Sequence, residues 1–261
     1  MATAAVSGWA PGTEPSLPDG LSLTLREALF QVLENRPEDP VSFLGEYFQR
    51  LVESAREGAA EKSAPRPKEE QVSCALKQLL LSHYSRPAFS RNTALAFHIL
   101  SCPANKRKKP GLKGRIYTEL LRQICGGAGI SSCSLIRKLQ CWDHEAVPFS
   151  VFRHGVLTCF IFLDFVKISR RLFEVVAESG EASRTVCQAL LDALQDALNV
   201  SKSASGPGCL DAALKLSPNQ LGQTMEQAMR LRKNETSPPM TQEEFTMLTA
   251  PFFIQRVKPM C

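Results

Sequence analysis

The chain has 261 residues, a length that allows one or two domains with a sizeable core. Hydrophobic residues make up 44% and charged residues 22%, which excludes collagen, a wholly disordered chain and a multi-span membrane protein. The formal net charge of +5 is too small to indicate a nucleic-acid binder, so a functional basic patch has to be local.

By composition the chain divides into four segments, and helical periodicity dominates two of them. Residues 1–20 are rich in Ala, Gly, Pro and Ser and are predicted to be a disordered arm. A two-helix hairpin is predicted over residues 21–55, a charged linker over 56–70, and a larger multi-helix domain over 71–261. No alternating polar and apolar pattern indicates strands, so we predict an all-α protein.

The predicted hairpin carries the most specific pattern. Apolar residues recur at helical spacing on both sides of Arg-Pro-Glu-Asp-Pro, where Pro37 ends the first helix, Asp39 can cap the second and Pro40 suits its first turn. Two helices of about four turns cannot enclose this much apolar surface between them. We therefore predict a docking surface formed by Leu25, Leu29, Val32, Leu33, Val41, Phe43, Leu44, Tyr47, Phe48 and Leu51. The alternative is an ordinary hairpin that packs on the rest of the same chain.

The sequence of this hairpin resembles a known docking domain. Its pattern is an amphipathic helix, then Arg-Pro-Glu-Asp-Pro-Val, then Phe-Leu-Gly-Glu-Tyr-Phe-Gln-Arg-Leu. This pattern is similar to the dimerisation/docking domain of cyclic-AMP-dependent kinase regulatory subunits and of the Dpy-30 family. Those domains form a four-helix bundle from two hairpins, with a groove for an amphipathic partner helix. The resemblance implies a homo- or hetero-dimer, or the docking of a partner, and not catalysis.

Two helix starts carry the pattern of a capping box, in which a Ser or Thr precedes a Glu by three residues. They are Thr24 with Glu27, and Thr241 with Glu244. In the second, the apolar residues that flank the box also predict a hydrophobic staple.

The longest apolar run, at residues 156–163, is too short to span a bilayer and predicts a buried helix. Around it, aromatic and aliphatic side chains recur at helical spacing: Phe149, Phe152, Val156, Phe160 and Leu163. Such a stripe is typical of a core, although a helix that faces another subunit carries the same pattern. No membrane association is predicted.

Nine cysteines are irregularly spaced, and the first twenty residues hold no secretory apolar run. We therefore expect reduced thiols in a reducing compartment. Cys125, Cys133 and Cys141 with His144 have intervals too long for an ordinary zinc site, and adjacent placement of Cys141 and His144 gives no oriented third member of a triad. We expect Asp143, His144 and Glu145 to form a capping and hydrogen-bonded turn before a helix that starts at Pro148. We expect no metal, cofactor or catalytic residue.

Three further segments in the same order resemble one family. They are KPGLKGRIYTELLR at 109–122, KLQCWDHEAVPFSVFRHGVLTCF at 138–160, and the ending from MTQEEF at 240–245 to VKP at 257–259. Together with the hairpin they resemble the family of tubulin polyglutamylase complex subunit 1. The resemblance runs from about residue 21 to the C-terminus, but the linker up to residue 70 lies outside it.

This family resemblance implies a non-catalytic scaffold or targeting subunit. The ligase would be a separate tubulin-tyrosine-ligase-like chain, since this chain shows too few strands for the nucleotide-binding fold of an ATP-driven ligase. The implied partners are that ligase, other subunits of the complex, and the acidic tails of tubulin. The implied locations are the cytoplasm and cytoskeleton, including the centrosome or basal body and the axoneme of a cilium or flagellum.

Six basic residues within ten positions, uninterrupted by an acid, form the most concentrated charge in the chain: Lys106, Arg107, Lys108, Lys109, Lys113 and Arg115. We call them the basic segment. Such a run is consistent with a solvated loop, with an acidic protein partner such as a glutamate-rich tubulin tail, or with a nuclear-localisation signal or nucleic-acid patch. The last of these gives the alternative function, a nucleic-acid-associated docking protein.

Overall fold

In the computed structural model the chain forms two compact units, residues 1–62 and 63–261. The structure describes residues 19–59, 68–102, 111–126, 129, 131–200, 222–223, 226, 228, 230 and 238–259. Within these ranges the chain is helical except for turns and strands of two residues each. The all-α prediction is confirmed.

The first unit contains a hairpin of two helices, α1 (Asp19–Asn35) and α2 (Pro40–Ala59). Asp39 caps α2 as predicted, since its Oδ1 accepts the backbone N–H groups of Val41 at 3.0 Å and of Ser42 at 3.1 Å. The hydrogen bonds from Ser42 hold the pKa of the Asp39 carboxyl below its ordinary value. The second helix continues past residue 55, where the predicted hairpin ended, as far as Ala59.

The reversal between α1 and α2 depends on an unusual backbone conformation. Arg36 has a positive φ of 46° and donates its N–H to the carbonyl oxygen of Val32 at 2.8 Å. A left-handed residue of this kind ends many helices, but it is usually Gly, which has no Cβ to be strained, and sometimes Asn. Pro37 follows at once and prevents the helix from continuing.

The predicted capping box at Thr24 is wrong. The first helix begins at Asp19, so Thr24 lies inside it and its hydroxyl donates to the carbonyl oxygen of Gly20 at 2.9 Å. A Thr within a helix commonly makes this backward hydrogen bond, which competes with the capping role.

The second unit contains seven described helices longer than two turns, which we number in chain order together with four strands. The helices are α3 (Lys68–Leu80), α4 (Pro87–Ser101), α5 (Gly114–Ile124), α6 (Ser131–Leu139), α7 (Phe149–Val176), α8 (Arg184–Val200) and α9 (Gln242–Ile254). The strands form two antiparallel pairs, β1 (Leu112–Lys113) with β2 (Ala146–Val147) and β3 (Glu181–Ala182) with β4 (Met240–Thr241). Strands of two residues leave no periodic pattern, which is why the sequence did not indicate them.

The helix α7 forms the centre of the second unit and contacts α4, α5, α8 and α9. Phe152, Val156 and Phe162 on it are fully buried, whereas Phe149 keeps 37% of its surface exposed. By length and composition, α7 is the one helix in the described ranges that is long and apolar enough to cross a membrane, and half of its most apolar window is buried within the protein. Core helices of soluble proteins meet the same criterion, and the predicted stripe packs here against neighbouring helices.

Close packing of α5 against α7 depends on a missing side chain. A Cβ placed on Gly155 of α7 would overlap the phenol of Tyr117, with the ring carbon Cζ 2.9 Å away. Tyr117 lies on α5 and is completely buried. The glycine therefore provides the notch that accommodates the tyrosine.

A smaller apolar cluster joins the end of α7 to α8, β4 and α9. The predicted capping box at the start of α9 is confirmed in part, because Thr241 Oγ1 accepts the N–H of Glu244 at 3.3 Å. Met240 and Phe245 on either side are both buried in this cluster, as the predicted staple requires. An ion pair between Arg184 and Glu244, 2.8 Å apart, links the starts of α8 and α9.

Candidate interaction surfaces

The hairpin leaves a large part of its apolar residues exposed. Phe43 and Ala28 are buried between the two helices, and Leu25, Val32, Leu44, Tyr47 and Phe48 are half-buried. Four residues of the predicted docking surface are exposed, namely Leu29, Leu33, Val41 and Leu51. We call these four the hairpin surface.

Further exposed apolar side chains enlarge this surface beyond the predicted set. They are Leu21, Leu23, Phe30 and Val52, each between 44% and 66% exposed. Phe30 and Leu23 were not predicted because they lie off the stripe that Leu25, Leu29 and Val32 define. Eight exposed apolar side chains on two helices are typical of a protein interface and unusual for the surface of a monomer.

The basic segment is described in part. Lys106, Arg107, Lys108 and Lys109 lie outside the described residues. Lys113 on β1 and Arg115 in the first turn of α5 are both exposed. The backbone N–H of Gly111 donates to the carbonyl oxygen of Ser101 at 3.1 Å, which joins the end of α4 to the residue before β1.

The turn at residues 141–145 holds the start of α5. Gly114 N–H donates to the carbonyl oxygen of Glu145 at 2.9 Å, and Arg115 N–H donates to that of Asp143 at 3.3 Å. The carboxylate of Glu145 accepts the N–H of Trp142 at 3.2 Å, so the hydrogen-bonded turn that the sequence predicts is present. It serves α5, however, and provides no side-chain cap for α7.

This turn carries an exposed tryptophan side chain. Trp142 is 79% exposed, although the hydrogen bonds of the turn fix its backbone. A Cβ on Gly114 would overlap the carbonyl oxygen of Trp142, with the carbonyl carbon 2.9 Å away, so only glycine fits at the start of α5. No pattern in the sequence indicates that Trp142 is exposed.

The cysteines weighed as zinc ligands do not come together. Cys125 and Cys141 are buried and Cys133 is exposed. Within the described ranges, no three His, Cys, Asp or Glu side chains are grouped so that they would hold a metal ion. Cys125 instead contacts Cys159 of α7, and this hydrogen bond, together with burial, raises the pKa of the Cys159 thiol well above its ordinary value.

A cavity of about 250 Å³ lies where the turn before α4 meets α7. Two arginines line it, Arg86 at the N-cap of α4 and Arg153 on α7. Tyr84, Pro87, Phe89 and Leu157 supply apolar surface, and Ser85 and Ser90 supply hydroxyl groups. No local sequence pattern reveals this cavity, because Arg86 precedes α4, Arg153 lies on α7, and neither belongs to a charge run.

Comparison with known protein families gives one match in each of the two units. The family described as "Tubulin polyglutamylase complex subunit 1-like, C-terminal" matches residues 66–258, most of the second unit. The chain belongs to the tubulin polyglutamylase complex subunit 1 family. A human member, "Tubulin polyglutamylase complex subunit 1", is 43% identical over 249 residues, which cover 92% of this chain and 85% of the relative.

The hairpin matches a second family, described as "Regulatory subunit of type II PKA R-subunit", over residues 25–56. This confirms the resemblance of the hairpin to a kinase regulatory subunit. No solved structure matches the chain.

Proposed function

We propose that the chain is a non-catalytic subunit of a tubulin polyglutamylase complex, which helps to assemble the ligase and to bring it to microtubules. The observation that supports this proposal is the family relation, because it extends over nearly the whole chain and the human relative is named for that complex. The exposed hairpin surface is consistent with a role in assembly.

Co-purification tests membership of the complex. The tagged chain, expressed in ciliated cells, should bring down a tubulin-tyrosine-ligase-like chain and further subunits. A preparation that contains the chain but no such ligase contradicts the proposal. The purified chain alone, with ATP, glutamate and tubulin, should add no glutamate, and addition of the ligase should restore incorporation. Incorporation by the chain alone above a no-protein control shows that it is itself an enzyme.

The hairpin surface is proposed to pair either with a second copy or with a helix of another subunit. The support is the number of exposed apolar side chains and the match to the kinase regulatory subunit family. Pairing would bury Leu29 and Leu33, which are 58% and 72% exposed. The measurement that separates the two partners is the mass of the purified chain in solution, with and without the other subunits.

The basic segment is proposed to attract the acidic tails of tubulin. Exposed charges act mainly through long-range attraction, which salt screens over about 8–10 Å. Changing residues 106–109 to Ser should therefore weaken microtubule binding at low salt, matter much less at high salt, and leave the unfolding free energy within about 0.5 kcal/mol. Unchanged binding at low salt contradicts the proposal. If RNA or DNA competes better than tubulin tails, the alternative of a nucleic-acid-associated docking protein is favoured.

The proposed locations follow from the proposed substrate. A subunit that targets the ligase to microtubules should be present at the centrosome or basal body and in the axoneme, as well as in the cytoplasm. A fluorescent fusion should co-localise with polyglutamylated tubulin in ciliated cells. A fusion that remains diffuse in those cells, or that enters the nucleus, contradicts this proposal.

A further inference from the structure

The cavity between Arg86 and Arg153 has an uncompensated positive charge. Both side chains are exposed, and no ion pair between described residues includes either guanidinium. The residues that line the cavity include no Asp or Glu. Two cationic side chains beside one cavity make its surroundings attractive to an anion.

The nearby carboxylate of Asp164 is already engaged. It lies further along α7, where it accepts a hydrogen bond from the Tyr84 hydroxyl and contacts His83 Nε2 at 3.1 Å. Burial and this hydrogen bond raise the pKa of the Tyr84 phenol, so Tyr84 remains a neutral donor to Asp164. Asp164 therefore orients the wall of the cavity and leaves the two arginines available to a ligand.

The chemistry of the walls favours a carboxylate on an aliphatic stem. Arg pairs with carboxylates through two parallel hydrogen bonds, and the apolar faces of Tyr84, Phe89 and Leu157 suit methylene groups. A phosphate site usually adds several free backbone amides. Here Pro87 has no N–H group, and the N–H of Phe89 is bonded to the carbonyl oxygen of Arg86 at 3.1 Å.

The size of the cavity indicates a single side chain. Its volume of about 250 Å³ is below the roughly 300–1,000 Å³ of pockets that hold drug-sized ligands. We propose that the cavity binds the carboxylate of one glutamate side chain in an acidic peptide, with Arg86 and Arg153 on either side of it. The inference rests on the proposed function for the source of the peptide, a glutamate-rich tubulin tail.

The experiment measures the binding of a dye-labelled peptide of consecutive glutamates to the full chain by fluorescence polarisation, with a glutamine peptide as the reference. Changing Arg86→Gln together with Arg153→Gln should weaken binding about tenfold, since exposed pairs of this kind contribute modestly. The matched control is Arg170→Gln with Arg171→Gln, which removes the same charge from exposed positions on α7 outside the cavity. It should change the affinity less than about twofold.

A second variant tests the cavity by occupying it. Ser90→Glu places a carboxylate at the wall, where it should compete with the peptide and weaken binding. All variants are also measured in a chain with residues 106–109 changed to Ser, so that the basic segment does not hide the effect. Equal losses in the cavity and control variants, or no loss in either cavity variant, overturn the inference. The inference is also overturned if the chain with residues 106–109 changed to Ser binds no glutamate peptide.

Competition identifies the preferred anion. Glutarate should displace the peptide at lower concentration than inorganic phosphate at equal ionic strength, and the reverse order would assign the cavity to phosphate. Co-purification of the ligase separates this inference from the proposed function. If the cavity variants bind the peptide normally while the ligase still co-purifies with the chain, only the inference about the cavity is overturned. If the ligase does not co-purify with the wild-type chain, the proposed function is overturned.

Discussion

Replacement of one exposed leucine of the hairpin by glutamate tests whether the hairpin surface is an interface. Leu29 and Leu33 are 58% and 72% exposed in the single chain. Complete burial of a leucine side chain contributes about 1.5–3 kcal/mol. Covering the exposed part of either residue therefore contributes about 1–2 kcal/mol, and a charge in its place adds a desolvation cost.

In a symmetrical pair each chain carries the change, so the effect is doubled. Leu29→Glu or Leu33→Glu alone should weaken the pair by at least about 2 kcal/mol, or about 30-fold in Kd. The hairpin itself should keep its helical content, because neither residue is buried within it. Gln49→Glu on α2 is the control, since it makes the same change of charge at an exposed polar position.

Sedimentation velocity over a range of protein concentrations measures the association, and circular dichroism measures the helical content. If the wild-type chain is monomeric, the same variants are tested for loss of the other subunits in co-purification. The hairpin surface is not an interface if Leu29→Glu and Leu33→Glu behave like Gln49→Glu in both measurements. If the leucine variants lose helical content, the exposed leucines support the fold of the hairpin itself.

Three further predictions concern local structure. Gly114→Ala should destabilise the second unit by about 1–3 kcal/mol in chemical denaturation, because its Cβ meets the carbonyl group of Trp142, whereas Gly111→Ala, with open space around it, should have little effect. Lys138 donates hydrogen bonds to the carbonyl oxygens of Ile254 and Val257 at 2.8 and 3.1 Å. Lys138→Met should therefore lower the unfolding free energy by about 1–3 kcal/mol. A similar loss in the exposed Arg137→Met would refute this role of Lys138. The pKa of the Asp39 carboxyl is lowered in the folded hairpin, so its capping contribution is present above the ordinary carboxyl pKa and is lost as the pH falls through the folded value. Asp39→Asn should therefore reduce the loss of helicity that acid causes, as measured by circular dichroism.

The features predicted correctly are those that neighbouring residues determine. The cap at Asp39 depends on residues within three positions of it, and so does the cap at Thr241. Thr24 carried the same local pattern, but α1 extends further toward the N-terminus and places it inside the helix. A local pattern therefore indicates that a cap is available and does not decide where a helix begins.

The features that the sequence did not reveal depend on contacts between distant residues. The turn around Trp142 supports α5, which precedes it in the chain, and no local signal connects the two. In the same way, Arg86 and Arg153 line one cavity only because α4 packs on α7. Which members of the predicted docking surface are exposed was also not deducible, since periodicity shows that a helix has an apolar face but not which part of that face its neighbour covers.

The notch at Gly155 makes two positions in different helices dependent on each other. A methyl group at position 155 would meet the phenol of Tyr117, so an alanine there requires a shorter side chain at position 117. Each change alone should be deleterious, the first by overlap and the second by an unfilled space, and the double change should recover part of the loss. Variation at these two sites among family members is therefore expected to be epistatic, with alanine at one accompanied by a smaller residue at the other.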